Sequence, residues 1–147
     1  MDTATFLKGT LLGQGLDEAE LSRLAALFVE RSYAANQGIF KEGEPSNELY
    51  IVKSGAMKIV KHTSGGRKEV LVTLKPGDMF GEMAFLDGRP RSAGAEALED
   101  MEVILFDRSK YSELVKQKDF LAFKIVSNIA RMLTSRLRRT TERLAEE

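Results

Sequence analysis

The sequence predicts a mainly β fold with flanking helices: a β roll, or double-stranded β-helix of the jelly-roll type, with N-terminal helices before it and one long C-terminal helix behind it. Three observations predict it. Between about residues 37 and 107, short apolar runs alternate with glycine-bearing turns, the pattern of an all-β barrel or roll. Ahead of them, residues 1–36 carry apolar positions at three-and-four spacing. Behind them, from Asp119 to about Ala145, neither proline nor glycine breaks a helical pattern. The 147 residues are read as one domain in three segments, 1–36, 37–107 and 108–147, with no DNA-binding domain among them.

In the first segment, Leu16-Asp17-Glu18-Ala19-Glu20 opens a helix. Asp17 is placed to cap it, and Glu18 and Glu20 suit the positive end of the helix. Leu21, Leu24, Ala25, Leu27 and Phe28 then form one apolar stripe. In the second segment, Leu49–Lys53 reads as a strand, Ser54-Gly55 as a turn and Ala56–Lys61 as the next strand. Thr63-Ser64-Gly65-Gly66 makes a hairpin tip, Glu69–Leu74 returns, and Met101–Phe106 closes the set. Lys41-Glu42-Gly43-Glu44-Pro45 and Lys75-Pro76-Gly77-Asp78 echo each other as corners, where glycine supplies the positive backbone angle.

The third segment is helical. Ser109 is read as capping a short helix through Val115. A helix from Asp119 to Ala145 would run ~40 Å, about the full width of a domain of this size. Val126, Ala130, Leu133, Leu137, Thr140 and Leu144 alternate four and three apart, the seam of a coiled coil. Ile125, Ile129 and Met132 form a second line beside it. One line is expected to pack on the β body and the other to meet a partner, so a homodimer through Asp119–Ala145 is expected. The alternative is a single wide face packed within one chain. Arg131, Arg136, Arg138, Arg139 and Arg143 crowd the helix end. They are read as a solvated face with charge suited to the negative helix terminus, and not as a DNA contact.

Composition removes several classes of function. Lysine and arginine number 22, as do aspartate and glutamate, so the formal net charge is zero. A globally basic nucleic-acid binder is not expected. There is no cysteine, which removes disulfides, thiolate metal sites and cysteine nucleophiles. One histidine, His62, cannot build the clustered site of a metal-dependent β-roll enzyme. It reads as a loop histidine, with an axial haem ligand as the lesser alternative. No apolar run approaches the ~20 residues of a membrane span, and the N-terminus lacks the form of a secretion signal. A soluble cytoplasmic protein that is not an enzyme is expected, with no metal and no membrane partner.

The informative stretch is Gly77 to Ala93. Gly81-Glu82-Met83-Ala84 falls between β runs, at a glycine where backbone can approach a ligand closely. A short helical turn opening there points free N–H groups outward, toward a phosphate. Arg91 follows behind Pro90, which stiffens its approach. Its flat, permanently charged fork matches phosphate oxygens, and Ser92 adds a hydroxyl. Ionised Glu82 accepts only, so it suits a sugar hydroxyl and not a phosphate. Together these groups describe a nucleotide with one compact phosphate. An internal Glu82–Arg91 salt bridge closing the loop is the alternative.

Phe80-Gly81-Glu82-Met83-Ala84 followed by Pro90-Arg91-Ser92-Ala93 resembles the phosphate-binding cassette of the cyclic nucleotide-binding domain family. That family includes the sensor domain of the catabolite activator protein, regulatory subunits of cyclic-AMP-dependent kinase and cyclic-nucleotide-gated channels. Gly43, Gly55 and Pro76-Gly77-Asp78 resemble its structural corners, and the likeness spans about residues 15 to 145. The resemblance implies a cyclic AMP ligand, with cyclic GMP also compatible. It implies Glu82 on the ribose 2′-hydroxyl and Arg91 on the cyclic phosphate. Backbone at Gly81, Met83 and Ala84 would line the pocket, with Ser92 and Ala93 beside it. The long helix would act as a lid over the base and as a dimer seam, passing the signal to a protein effector that the sequence does not identify. Lid contacts fall at Thr134, Ser135 and Arg136 in one register, or at Thr140 and Thr141 in a later one. Gly94 departs from the family, which usually has threonine or serine there. Transcription factors of the family continue into a DNA-binding domain, which gives the alternative function: a dimerising transcription regulator ending before its helix-turn-helix.

Overall fold

The structure, a computed structural model, describes residues 1–45 and 47–146. It divides into two compact units. Residues 26–111 form a β unit; residues 1–25 and 112–147 form a helical unit.

Among the described residues, the β unit holds eight strands in two four-stranded antiparallel sheets. They are β1 (Phe28–Tyr33), β2 (Gly38–Phe40), β3 (Glu48–Ser54), β4 (Met57–His62), β5 (Lys68–Leu74), β6 (Met79–Phe80), β7 (Gly94–Ala97) and β8 (Met101–Asp107). One sheet runs β1-β8-β3-β6 and the other β2-β7-β4-β5. Two such layers with apolar faces inward are the expected roll. Tyr33, Val52, Met57, Leu74, Phe80, Ala95, Met101, Val103 and Leu105 belong to its core cluster. Phe106 instead meets Phe28 and Phe85, each at 5.3 Å between ring centres.

The two echoing corners form as read. Glu44 N–H donates to the Lys41 carbonyl at 3.2 Å, and Asp78 N–H to the Lys75 carbonyl at 3.0 Å. The third residue of each, Gly43 and Gly77, has a positive φ.

Between β6 and β7 stands a short helix, α3 (Glu82–Asp87). The helical unit contains α1 (Thr3–Lys8), a 3-10 turn (Leu11–Gly13), α2 (Glu18–Ala25) and α5 (Phe120–Glu146). The last residues of α4 (Arg108–Lys116) belong to it as well. Asp17 caps α2 as read, in reciprocal form: Glu20 N–H donates to its carboxylate at 2.8 Å, and Asp17 N–H to the Glu20 carboxylate at 3.0 Å. That is a capping box. Buried Asn128 on α5 donates from Nδ2 to the carbonyls of Leu12 and Gln14, each at 2.9 Å.

Two readings need correction. The apolar stripe assigned to the first helix ends at Ala25, and Phe28 begins β1, whose six residues pair with β8. Helical spacing continues into Leu27 and Phe28, but the long-range ladder prevails. The cap of α4 is Asp107, whose carboxylate accepts from Ser109 N–H at 2.8 Å, so Ser109 lies inside the helix. In α5, Ile125, Ile129 and Met132 are buried as a line, while Leu137 and Leu144 are 67% and 64% exposed.

Candidate functional site

The cassette residues gather in the β unit around Arg91. Its main chain is held first. Arg91 N–H donates to the Glu44 carbonyl at 2.9 Å, and its own carbonyl accepts from Gly43 N–H at 2.8 Å. The Lys41–Pro45 corner therefore fixes the backbone from which the guanidinium extends. The next residue is tied as well: Lys61 Nζ donates to the Ser92 carbonyl at 2.7 Å and lies 3.0 Å from the Glu42 carboxylate.

The Arg91 side chain turns inward and is only 3% exposed. Nη1 donates to the Gly81 carbonyl at 3.0 Å and Nη2 to the Glu48 carbonyl at 2.9 Å. The Phe40 ring lies against the guanidinium at 4.1 Å and the Tyr50 ring at 5.6 Å, both within cation–π range. The Glu48 carboxylate is 3.9 Å from Nη2. Burial lowers the Arg91 pKa, while the electrostatic pull of Tyr50, Glu48 and Glu82 opposes that shift. Tyr50 is itself buried, and burial pushes its phenol pKa up. It stacks on Phe80 at 4.8 Å, so one aromatic wall of the core also lines the cation.

Gly81 makes this approach possible. Its φ is +78°, and a Cβ there would lie 2.7 Å from Arg91 Nη1 and 3.1 Å from the Glu48 carbonyl. Glu82 follows in the first turn of α3 and is buried at 7% exposure. Ala84 is buried and Met83 exposed. Ser92 is exposed, its hydroxyl 4.0 Å from Met83 Sδ, and Ala93 is buried. The first-turn amides of a helix have no partners within it. A buried cation, a buried carboxylate and the start of α3 thus lie in one segment of the chain.

Those groups fit a cyclic nucleotide in kind: a permanent cation for the phosphate and an acceptor for a sugar hydroxyl. A profile of the cyclic nucleotide-binding domain matches residues 30–118. The chain belongs to the cyclic nucleotide-binding domain family. A curated relative, the cyclic AMP receptor protein of Thermus thermophilus, is 36% identical over 127 residues, which cover 86% of this chain and 59% of that protein. The crystal structure of the Thermus thermophilus catabolite activator protein matches with a TM-score of 0.81 at 33% identity, covering 92% of this chain and 62% of that one. The regulatory domain of Toxoplasma gondii PKA, solved with cAMP, matches at 0.69 and 28% identity, over 80% of this chain and 44% of that one. The chain therefore spans less than two thirds of each of these relatives.

The other predicted residues of this cyclic nucleotide-binding domain lie outside the β unit. Thr134, Ser135 and Arg136 stand on α5, in the helical unit. The Thr134 hydroxyl donates to the Ala130 carbonyl of its own helix at 2.8 Å. Thr140 and Thr141 do the same toward Arg136 and Leu137, at 3.1 and 3.0 Å. Gly94, the departure from the family, pairs with Val60, and a Cβ there would lie 3.1 Å from Val60 Cγ2. A side chain at that position would press on Val60 Cγ2, which would have to give slightly. Among the described residues, no three His, Cys, Asp or Glu side chains come together to hold a metal ion, and no helix is long and apolar enough to cross a membrane.

Sequence reasoning missed Phe40, Tyr50, Glu48 and Lys61. Each reaches the cassette from a distant strand or its edge. Phe40, directly before the Lys41 corner, was the one legible signal, an aromatic beside a turn that faces the arginine.

Proposed function

We propose that this chain is a cytoplasmic cyclic nucleotide sensor, a single regulatory domain with no reaction of its own. It takes cyclic AMP, and cyclic GMP is the second guest to test. Arg91 holds the cyclic phosphate and Glu82 the ribose 2′-hydroxyl. The backbone of Gly81, Met83 and Ala84 completes the phosphate cup, with Ser92 and Ala93 along its side. Thr134, Ser135 and Arg136 of α5 serve as base contacts of the lid. Ligand shifts α5 between two positions, and the shift is limited to the difference in affinity of those positions. The observation that carries this reading is the buried guanidinium beside Gly81, in the segment that also buries Glu82.

Titration calorimetry with cyclic AMP and cyclic GMP tests it. A charged hydrogen bond contributes ~1.5–3 kcal/mol, so Arg91→Gln should weaken binding roughly tenfold to a hundredfold or more. Equal binding by both proteins would remove the phosphate assignment.

A second reading is favoured by the relatives' names and by the exposed stripe on α5: the chain is the sensor part of a dimerising transcription regulator. It predicts a homodimer through α5. A gel-shift assay at physiological salt separates the two. Sequence-specific binding by this chain favours the regulator, and binding that vanishes with added salt reports only charge.

A further inference from the structure

Glu48 stands beside Arg91 with no part in the cup described above. It opens β3, and its carbonyl accepts from Arg91 Nη2 at 2.9 Å. Its carboxylate Oε2 lies 3.9 Å from the same nitrogen and accepts from the Tyr50 hydroxyl at 3.3 Å. The Glu48 side chain is 30% exposed, so it lies where the buried cation meets solvent. The carbonyls of Gly81 and Glu48 occupy the two Nη groups from the other directions.

This geometry sets two anions against one cation. With no ligand, the carboxylate favours the buried charge of Arg91. A cyclic phosphate brings its own negative charge to that guanidinium. It then meets a carboxylate about 4 Å from the same guanidinium, where burial weakens screening by water and salt. The Tyr50 hydroxyl, 3.3 Å away, is a second neighbour of the same Oε2.

We propose that Glu48 is an internal competitor for Arg91, which steadies the guanidinium in the ligand-free protein and sets a ceiling on affinity for a phosphate diester. This rests on the reading of Arg91 as the phosphate group. Glu48 is not a ligand contact; it acts through Arg91.

The test is calorimetry with cyclic AMP on the wild type, Glu48→Gln, Glu48→Ala and Arg91→Gln, with thermal unfolding of each protein without ligand. Glutamine keeps the size and the acceptor for Tyr50 while removing the charge. Glu48→Gln should bind cyclic AMP roughly three- to thirtyfold tighter than wild type, with an unfolding temperature equal or lower. Affinity and stability then move in opposite directions, which a purely structural role does not produce. Weaker binding together with lower stability would make Glu48 a support for Arg91 and overturn the proposal, as would unchanged affinity in both Glu48 variants. Should Glu48→Gln fail to fold, Glu48→Ala carries the same prediction. A wild type that does not bind, or that binds no better than Arg91→Gln, overturns the phosphate reading itself, a result distinct from any change at position 48.

Discussion

Holding a guanidinium out of water is unfavourable, and burial lowers the pKa of Arg91. The sign follows from linkage. A base with a lowered folded pKa is destabilising while charged, and the penalty lifts only as pH rises through that folded value. Two carbonyls and two ring faces offset the cost. Gly81 is the counterpart of Arg91 in the backbone. In Gly81→Ala, a left-handed φ costs roughly 1–2 kcal/mol, and the new methyl meets Arg91 Nη1 at 2.7 Å. We expect lower thermal stability and at least tenfold weaker cyclic AMP binding, read by scanning calorimetry and titration. A variant that binds as the wild type does would separate Gly81 from the placement of Arg91. Residue types alone marked Gly81 as a place of close backbone approach, but did not show that Arg91 is what approaches its carbonyl. The rings of Phe40 and Tyr50 were not legible either, because strand pairing and not local sequence brings them there.

Among the elements, α5 is anchored by polar ties to the N-terminal segment. Asn128 donates to the Leu12 and Gln14 carbonyls, Arg23 pairs with Asp119, and Lys124 lies 2.8 Å from the Glu20 carboxylate. Asn128→Leu leaves two carbonyls without that donor and should cost about 1–3 kcal/mol, read as a lower midpoint in urea; an unchanged midpoint would mean water replaces the amide. The hydrogen bonds from Arg23 and Lys124 hold the pKa of Asp119 and Glu20 below their ordinary 3.8 and 4.5. Their contribution is complete above those values and is lost as pH falls through the lowered ones. Acid unfolding followed by circular dichroism should therefore be less steep below about pH 4 in Asp119→Asn. Strong elements were legible in the sequence: the strand β3, the β4–β5 hairpin, β8 and the length of α5. β2, β6 and β7 have three, two and four residues. Segments that short form because a neighbouring strand offers its edge, so no local periodicity announces them. β5 was read correctly as a strand, yet Val70, Leu71 and Val72 are exposed on the sheet edge, which an apolar run alone does not reveal.

At the scale of the whole molecule, one apolar line of α5 is a regular heptad, half-buried at Val126 and Leu133 and exposed at its ends. Phe123 precedes Val126 by three, and the series runs on through Ala130, Leu133 and Leu137 to Leu144. Phe123, Leu137 and Leu144 are all exposed, as the seam of a second helix requires. We expect a particle of twice 16.4 kDa in light scattering, and a monomer in the double variant Leu137→Glu, Leu144→Glu. A wild-type monomer at micromolar concentration would sink the dimer. The fold class was legible because glycine corners and apolar runs recur with little noise. The contact between Glu48 and Arg91 was not, because it depends on where two residues forty-three positions apart end up. The central claim is tested most directly by a crystal structure of this chain grown with cyclic AMP. The account predicts a phosphate oxygen within hydrogen-bond distance of the Arg91 guanidinium, with the Glu82 carboxylate on the ribose hydroxyl. A nucleotide bound elsewhere, or one whose phosphate does not touch Arg91, would contradict it.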